Sequence, residues 1–328
     1  MTKRPPPRTS FRTLPTPPEN PVQQAELVHL QRSPLRRSGR TLLLLTLLPF
    51  LVSVALSVGL YLMGRSGGMT SVDLTDRYRD VQSILGVVNS ILLLLVLALN
   101  VLLIWELLLV ASDSIAREKR LKTWETLALT PLSAWQIVTG KWRGVQAYIY
   151  RQYGWTMLLR AGIFVWLALT AGAGTPFATQ PETLRPDALR LLAALVLIGL
   201  YLALNLALAG ASGLLASFLP TMLPPVGGAL IGQFGIGISI TAVNLGLLRL
   251  MESLALASPP ALGMSASFAG VAFDGATLAA LQLLYTPWPD APPTLLALAG
   301  ASGLLYTLLI FGGLVLARWF AMRQGAAA

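Results

Sequence analysis

Apolar residues in this chain come in uninterrupted blocks of about twenty or more. Ser83–Ala111 carries one charge, Glu106, in its whole length. A helix rises 1.5 Å per residue, so about 20 apolar residues match the ~30 Å hydrocarbon core of a bilayer. Lipid offers backbone groups no hydrogen-bond partner, which leaves the helix as the natural form for such a block. Only 12% of the 328 residues are charged, against 55% hydrophobic. An average soluble domain carries about 25% charged residues, so this chain cannot clothe a globular surface in water-facing groups.

Six blocks read as spans, at about 41–63, 83–111, 148–169, 191–219, 226–250 and 295–317. The expected fold is an all-α integral membrane protein with residues 41–323 as its transmembrane domain. Residues 1–21, with seven prolines and Lys3, Arg4, Arg8 and Arg12, form a basic Pro-rich segment expected to be disordered, either lying on anionic lipid or simply solvated. Residues 22–40 pattern as an amphipathic helix along the membrane surface, ending in Arg36, Arg37 and Arg40. Residues 256–294 contain no Lys or Arg. A seventh span there would put Arg318 and Arg323 outside. The stretch is therefore expected as an extracytoplasmic hairpin, re-entrant or surface-lying, before the last span.

The net charge of +10 is concentrated in the N-terminal segment and in loop 112–144, both flanking apolar blocks. That is the positive-inside pattern of a multi-pass protein of the cytoplasmic (inner) membrane with both termini in the cytoplasm. It argues against nucleic acid as the partner of the positive charge. The long basic segment before the first block also argues against a cleavable signal peptide. There is no cysteine and one histidine, His29, which leaves no Cys- or His-rich metal site.

No phosphate-binding loop of the G-x-x-x-x-G-K-[ST] type is present, so the chain is not expected to be an ATP-hydrolysing enzyme or to hold a cofactor. Thr139-Gly140-Lys141 runs into Trp142, and Gly235-Ile236-Gly237 lies inside an apolar helix. The sequence ALAGASGLL occurs at 207–215 and again at 297–305. Small residues four apart, such as Ala209/Gly213 and Gly228/Gly232, read as close helix packing in lipid. Intramembrane charges default to function: Glu106 and Arg151 are expected at similar depth, where they could pair unless Arg151 snorkels, while Arg160 lies deeper and needs a cavity or a partner.

The informative segment is Ser114–Lys141, SIAREKRLKTWETLALTPLSAWQIVTGK. Arg117, Glu118, Lys119, Arg120 and Lys122 mark emergence into water. Trp124, Leu127 and Leu129 make an apolar patch on a helix too short to span, which suits a groove on another protein. Thr130-Pro131 ends that helix, and Ser133 with Gln136 is a capping box for the next.

This loop resembles that of the type-2 ATP-binding-cassette permeases, which reads roughly S-I-x-x-E-x-x-x-G-T-x-E-x-L-x-x-T-P-L-S-x-x-x-I-x-x-G-K. Ser114, Ile115, Glu118, Thr123, Glu125, Leu127, Thr130, Pro131, Leu132, Ser133, Ile137, Gly140 and Lys141 match without gaps. Lys122 departs, standing where the family has Gly. Asn20-Pro21-Val22 with Glu26 and Arg32 is similar to the connecting helix that opens many members. The resemblance implies a permease subunit of an exporter. Its helix around 123–129 would couple to a separate ATPase subunit that holds ATP and Mg. A second permease subunit, identical or not, would complete the transport path. An ion-coupled secondary transporter, or a noncatalytic scaffold or sensor with a permease-like fold, are the competing readings. The first would need more buried acidic residues than Glu106.

Overall fold

The computed structural model describes residues 20–31, 38–65, 72–170, 188–218, 225–253 and 292–324, together with Thr277, Ala280 and Leu284. Every regular element among them is helical: α1 (Pro21–Gln31), α2 (Ser38–Arg65), α3 (Val72–Arg120), α4 (Trp124–Ala128), α5 (Ala134–Thr170), α6 (Ala188–Ala216), α7 (Pro225–Ser253) and α8 (Pro292–Arg323). Residues 1–19, Arg32 and most of 254–291 lie outside the described residues, as do the expectations placed on them.

Apolar sequence sets the helices, but two run well beyond it. At 1.5 Å per residue the 49 residues of α3 extend roughly 73 Å, over twice the hydrocarbon thickness. Its C-terminal end, and the start of α5, take up most of what the sequence suggested as loop 112–144. Only residues 121–123 and 129–133 of that stretch are non-helical. Stretches Asp80–Arg120, Arg190–Ala216 and Ala299–Arg323 are each long and apolar enough to cross a membrane. Thr46–Gly59 and Ile231–Leu247 are shorter apolar helical stretches.

The outward faces are apolar. Leu48, Leu94, Val196, Ile231 and Leu308 are each at least 60% exposed, on five different helices. Water would penalise such a surface, whereas lipid does not. Inward, polar side chains tie the helices together. Ser53 of α2 donates to Asn89 of α3 at 2.6 Å and accepts from the Trp166 indole of α5 at 2.8 Å. Ser302 of α8 donates to Asn244 of α7, and Tyr306 of α8 to Asn205 of α6, both at 2.7 Å. Hydrogen bonds of this kind serve as glue where no hydrophobic effect drives association.

The two ALAGASGLL copies do different things. In the first, a Cβ on Gly213 would lie 2.8 Å from the Ala111 methyl, and one on Gly210 would lie among Gln146 and Trp142, so α6 meets α3 and α5 backbone to side chain. In the second, Gly300 and Gly303 face open space. Ala209/Gly213 is thus a packing pair. Gly232 is exposed, and among the described residues nothing lies within 4 Å of where its Cβ would stand, so no close approach is made at Gly232 there.

Candidate functional site

The C-terminal end of α3 and the N-terminal end of α5, with α1 across them, form a charged platform. Its seat is made by two glycines one turn apart. A Cβ on Gly140 would sit 2.9 Å from the Val22 Cβ, and one on Gly144 would sit 2.9 Å from the Glu26 Cβ. Only bare backbone lets α1 lie this close. Asn20 starts α1: its Oδ1 accepts from the Val22 amide at 3.0 Å, and Pro21 follows at the first helical position, where its missing N–H costs nothing. The Asn20 amide also donates to the Gln136 carbonyl at 2.5 Å, tying this cap to α5.

This seating places the Glu26 carboxylate, 1% exposed, between two cations. One guanidinium nitrogen of Arg117 lies 3.1 Å from each carboxylate oxygen, and Lys141 Nζ lies 2.5 Å away. Lys141, itself 4% exposed, also donates to Glu118 at 2.8 Å, and the Thr123 hydroxyl donates to the same carboxylate. Burial alone would push the Glu118 carboxyl up. Hydrogen bonds from Lys141 and Thr123, with the charges of Lys141 and Arg117, outweigh it and hold the group below the usual carboxylate range. Buried Glu26 and Lys141 thus join partly exposed Arg117 and Glu118 in a paired network whose members come from α1, α3 and α5.

The turn after α3 is a Schellman motif. The Thr123 amide bonds the Glu118 carbonyl at 3.0 Å, and the Lys122 amide bonds the Lys119 carbonyl at 3.2 Å. Lys122 takes the left-handed position, φ 57°. That explains why glycine stands there in the related loops: a side chain in this conformation costs roughly 1–2 kcal/mol. Lys122→Gly is accordingly expected to raise stability by about 1 kcal/mol. The unfolding midpoint of the purified protein checks this, and a fall in that midpoint would show that the lysine side chain is itself needed.

Helix α4 is held from inside, and this corrects the expected direction of its tryptophan. Trp124 is 6% exposed and stacks edge-on against Phe218, centroids 5.6 Å apart. Its indole N–H donates to the Gln324 carbonyl at 3.3 Å. Lys119 lies 5.2 Å above the Phe218 ring and donates to the Ser217 carbonyl, while the Gln324 amide donates to the Phe218 carbonyl. Trp124 therefore clamps α4 to the ends of α6 and α8. The outward apolar side chains are Leu129, 86% exposed, and Leu121, 64% exposed, among exposed Glu125, Thr126 and Pro131. Leu127 is half-buried and, with Val22, His29 and Thr123, lines a cleft of about 220 Å³ between α1 and the loop. Thr130 closes α4 by donating to the Leu127 carbonyl at 2.6 Å. The Ser133/Gln136 capping box forms in both directions, at 2.9 and 3.2 Å.

Deeper in the bundle the charges are arranged otherwise than expected. Glu106 receives its hydrogen bond from the Tyr153 hydroxyl, and among the described residues no ion pair joins it to Arg151, which is exposed. Arg160 is 2% exposed and donates to Asn100 of α3 at 2.9 Å and to Thr277 at 2.8 Å. Among the described residues no group of three or more His, Asp or Glu side chains could hold a metal ion.

Gly144, Phe218 and Gln324 were not singled out from the sequence. Gly144 had a signal, its four-residue spacing from Gly140. Phe218 and Gln324 had none, lying far along the chain from Trp124.

Long apolar-faced helices and a rigid charged platform at one end define a helical membrane protein with a structured extramembrane loop. Residues 32–223, more than half of the chain, match the family model described as ABC-2 family transporter protein, and the chain belongs to that family. It is a membrane permease of the ABC-transporter class. No curated protein and no solved structure matches it.

Proposed function

We propose that this chain is the membrane half of an ATP-driven exporter, docking a separate ATPase that binds ATP and Mg. A second permease subunit would complete the path. On this reading α2, α3, α5, α6, α7 and α8 cross the bilayer, and both termini and α4 face the cytoplasm, as the Lys/Arg asymmetry requires.

One observation carries the docking assignment. Leu121 and Leu129 project from a loop pinned by a buried ion network below and an aromatic clamp behind. Exposed leucines on a rigid mount present a surface at little further entropic cost to binding. Each contributes about 1.5–3 kcal/mol when fully covered. Recovering half of that from both corresponds to roughly a ten-fold or greater change in affinity. Leu121→Ser with Leu129→Ser is therefore expected to cut co-purification of the cognate ATPase about ten-fold while leaving membrane insertion intact. In the otherwise cysteine-free chain, Leu129→Cys should react only with membrane-permeant reagents in intact cells, and bound ATPase should protect it. Labelling by an impermeant reagent from outside defeats the topology. Undiminished co-purification of the double variant defeats the docking surface.

A further inference from the structure

Between α5 and α6, away from the cytoplasmic platform, lies a groove of about 610 Å³ open along one side. It exists because small residues line the seam. Gly154 and Gly199 both border it, and a Cβ on either would meet nothing within 4 Å. Its walls are apolar, with Leu158 64% exposed and Trp155 75% exposed. Among the described residues its charged lining is Arg151 and Arg160.

We infer that this groove is a binding site for an anionic phospholipid of the inner leaflet, with the phosphate on Arg151 and an acyl chain lying along Trp155 and Leu158. Four features support this. On the topology proposed above, on which this inference rests, Arg151 stands near the start of the α5 span on the cytoplasmic side, close to the inner headgroups. It is exposed, so its guanidinium can reach a phosphate without leaving an internal partner. Arg160 sits nine residues further on, roughly 13.5 Å deeper. Asn100 and Thr277 fix it in the wall of the groove. Among the described lining residues both charged groups are basic, and basic recesses between membrane helices on the cytoplasmic side suit acidic headgroups. The exposed indole of Trp155 belongs at the boundary between headgroups and chains, so both ends of a phospholipid find a matching environment in one groove.

Trp155 is a built-in reporter. The protein is reconstituted in phosphatidylcholine vesicles doped with either acyl-brominated phosphatidylglycerol or acyl-brominated phosphatidylcholine. Quenching assigned to Trp155 is the difference between the full chain and Trp155→Phe. One well-placed charge near the membrane surface supports a preference of about five-fold, so brominated phosphatidylglycerol should half-quench Trp155 at about a fifth of the mole fraction. Arg151→Gln should erase that preference. Arg143→Gln, an exposed residue of the same helix outside the groove, should keep it. Equal quenching of Trp155 by the two lipids overturns the proposal whatever the arginine variants show. Loss of preference in Arg143→Gln overturns it too, by showing general surface attraction. Quenching of Trp155 by neither lipid would mean that a second copy of the chain covers the groove, and would equally defeat it.

Discussion

Glu26→Ala is expected to destabilise the protein by about 3 kcal/mol, because it strips the shared carboxylate from a four-member ion network centred on the buried Glu26–Lys141 pair. Arg117 and Lys141 both lean on Glu26, and Lys141 is only 4% exposed. Without Glu26 the lysine keeps Glu118, but Arg117 retains only Asp113, 3.9 Å away and half exposed. An uncompensated cation beside a helix interface costs far more than a surface ion pair contributes, which is typically below about 1 kcal/mol. The loss falls first on α1, whose eleven residues bury one face made of Val22, Glu26 and Leu30, with Glu26 at its centre. Thermal unfolding should therefore shift downward, and proteolysis near residues 20–31 should accelerate ahead of global unfolding. Glu26→Leu combined with Lys141→Met removes one charge of each sign and leaves Arg117 beside Asp113 and in the field of the Glu118 carboxylate. That double variant should recover at least half of the loss, since the two sites share partners and are not additive. A cost under about 1 kcal/mol for Glu26→Ala would show that the network behaves as a solvated surface cluster.

The parts of this architecture that were legible in the sequence are those set by local chemistry. The apolar blocks announce long helices, because the requirement for internal backbone bonding acts on every residue of a block. The Ser133/Gln136 box closes over three residues and forms as spacing indicates. Lys122 replaces a glycine, and the backbone is indeed left-handed there. What was not legible is azimuth. Depth along a helix put Glu106 and Arg151 level, but depth does not say which way a side chain points. Arg151 and Tyr153 are two residues apart, about 200° around the helix, so they cannot both face α3, and Tyr153 does. The same gap hid the direction of Trp124. Its apolar character was evident, but its partners Phe218 and Gln324 stand 94 and 200 positions away, and no spacing rule reaches so far. Gly232 errs in the opposite sense: a small-residue stripe permits close approach without supplying the helix that would make it.

Phe218→Ala is expected to leave the ATPase bound while disconnecting it from the transmembrane helices. On the proposed reading the ATPase pushes on the outer face of α4 through Leu121 and Leu129. The inner face of α4 delivers that motion through Trp124, whose ring meets Phe218 beyond α6 and whose indole N–H holds the Gln324 carbonyl beyond α8. Lys119 adds a third tie, from the end of α3 to the Ser217 carbonyl. Packed aromatics transmit displacement because protein interiors are nearly incompressible, and a void between them absorbs it. Truncating a buried ring to alanine leaves such a void and costs about 3–5 kcal/mol locally, so Phe218→Leu serves as the milder companion variant. Coupling energies of the usual size correspond to about 5–150-fold effects, and the loss should fall in that range. The readout needs no knowledge of the cargo. Leu192, exposed near the outer end of α6, is replaced by cysteine, and its labelling rate is measured with and without trapped nucleotide on the ATPase. In the otherwise unaltered chain the rate should change with nucleotide; with Phe218→Ala it should not, although ATPase co-purification stays near its starting yield. A nucleotide response that survives in Phe218→Ala would remove the clamp from the transmission path. Loss of ATPase binding in step with loss of response would instead make this aromatic pair part of the mount that shapes the docking surface.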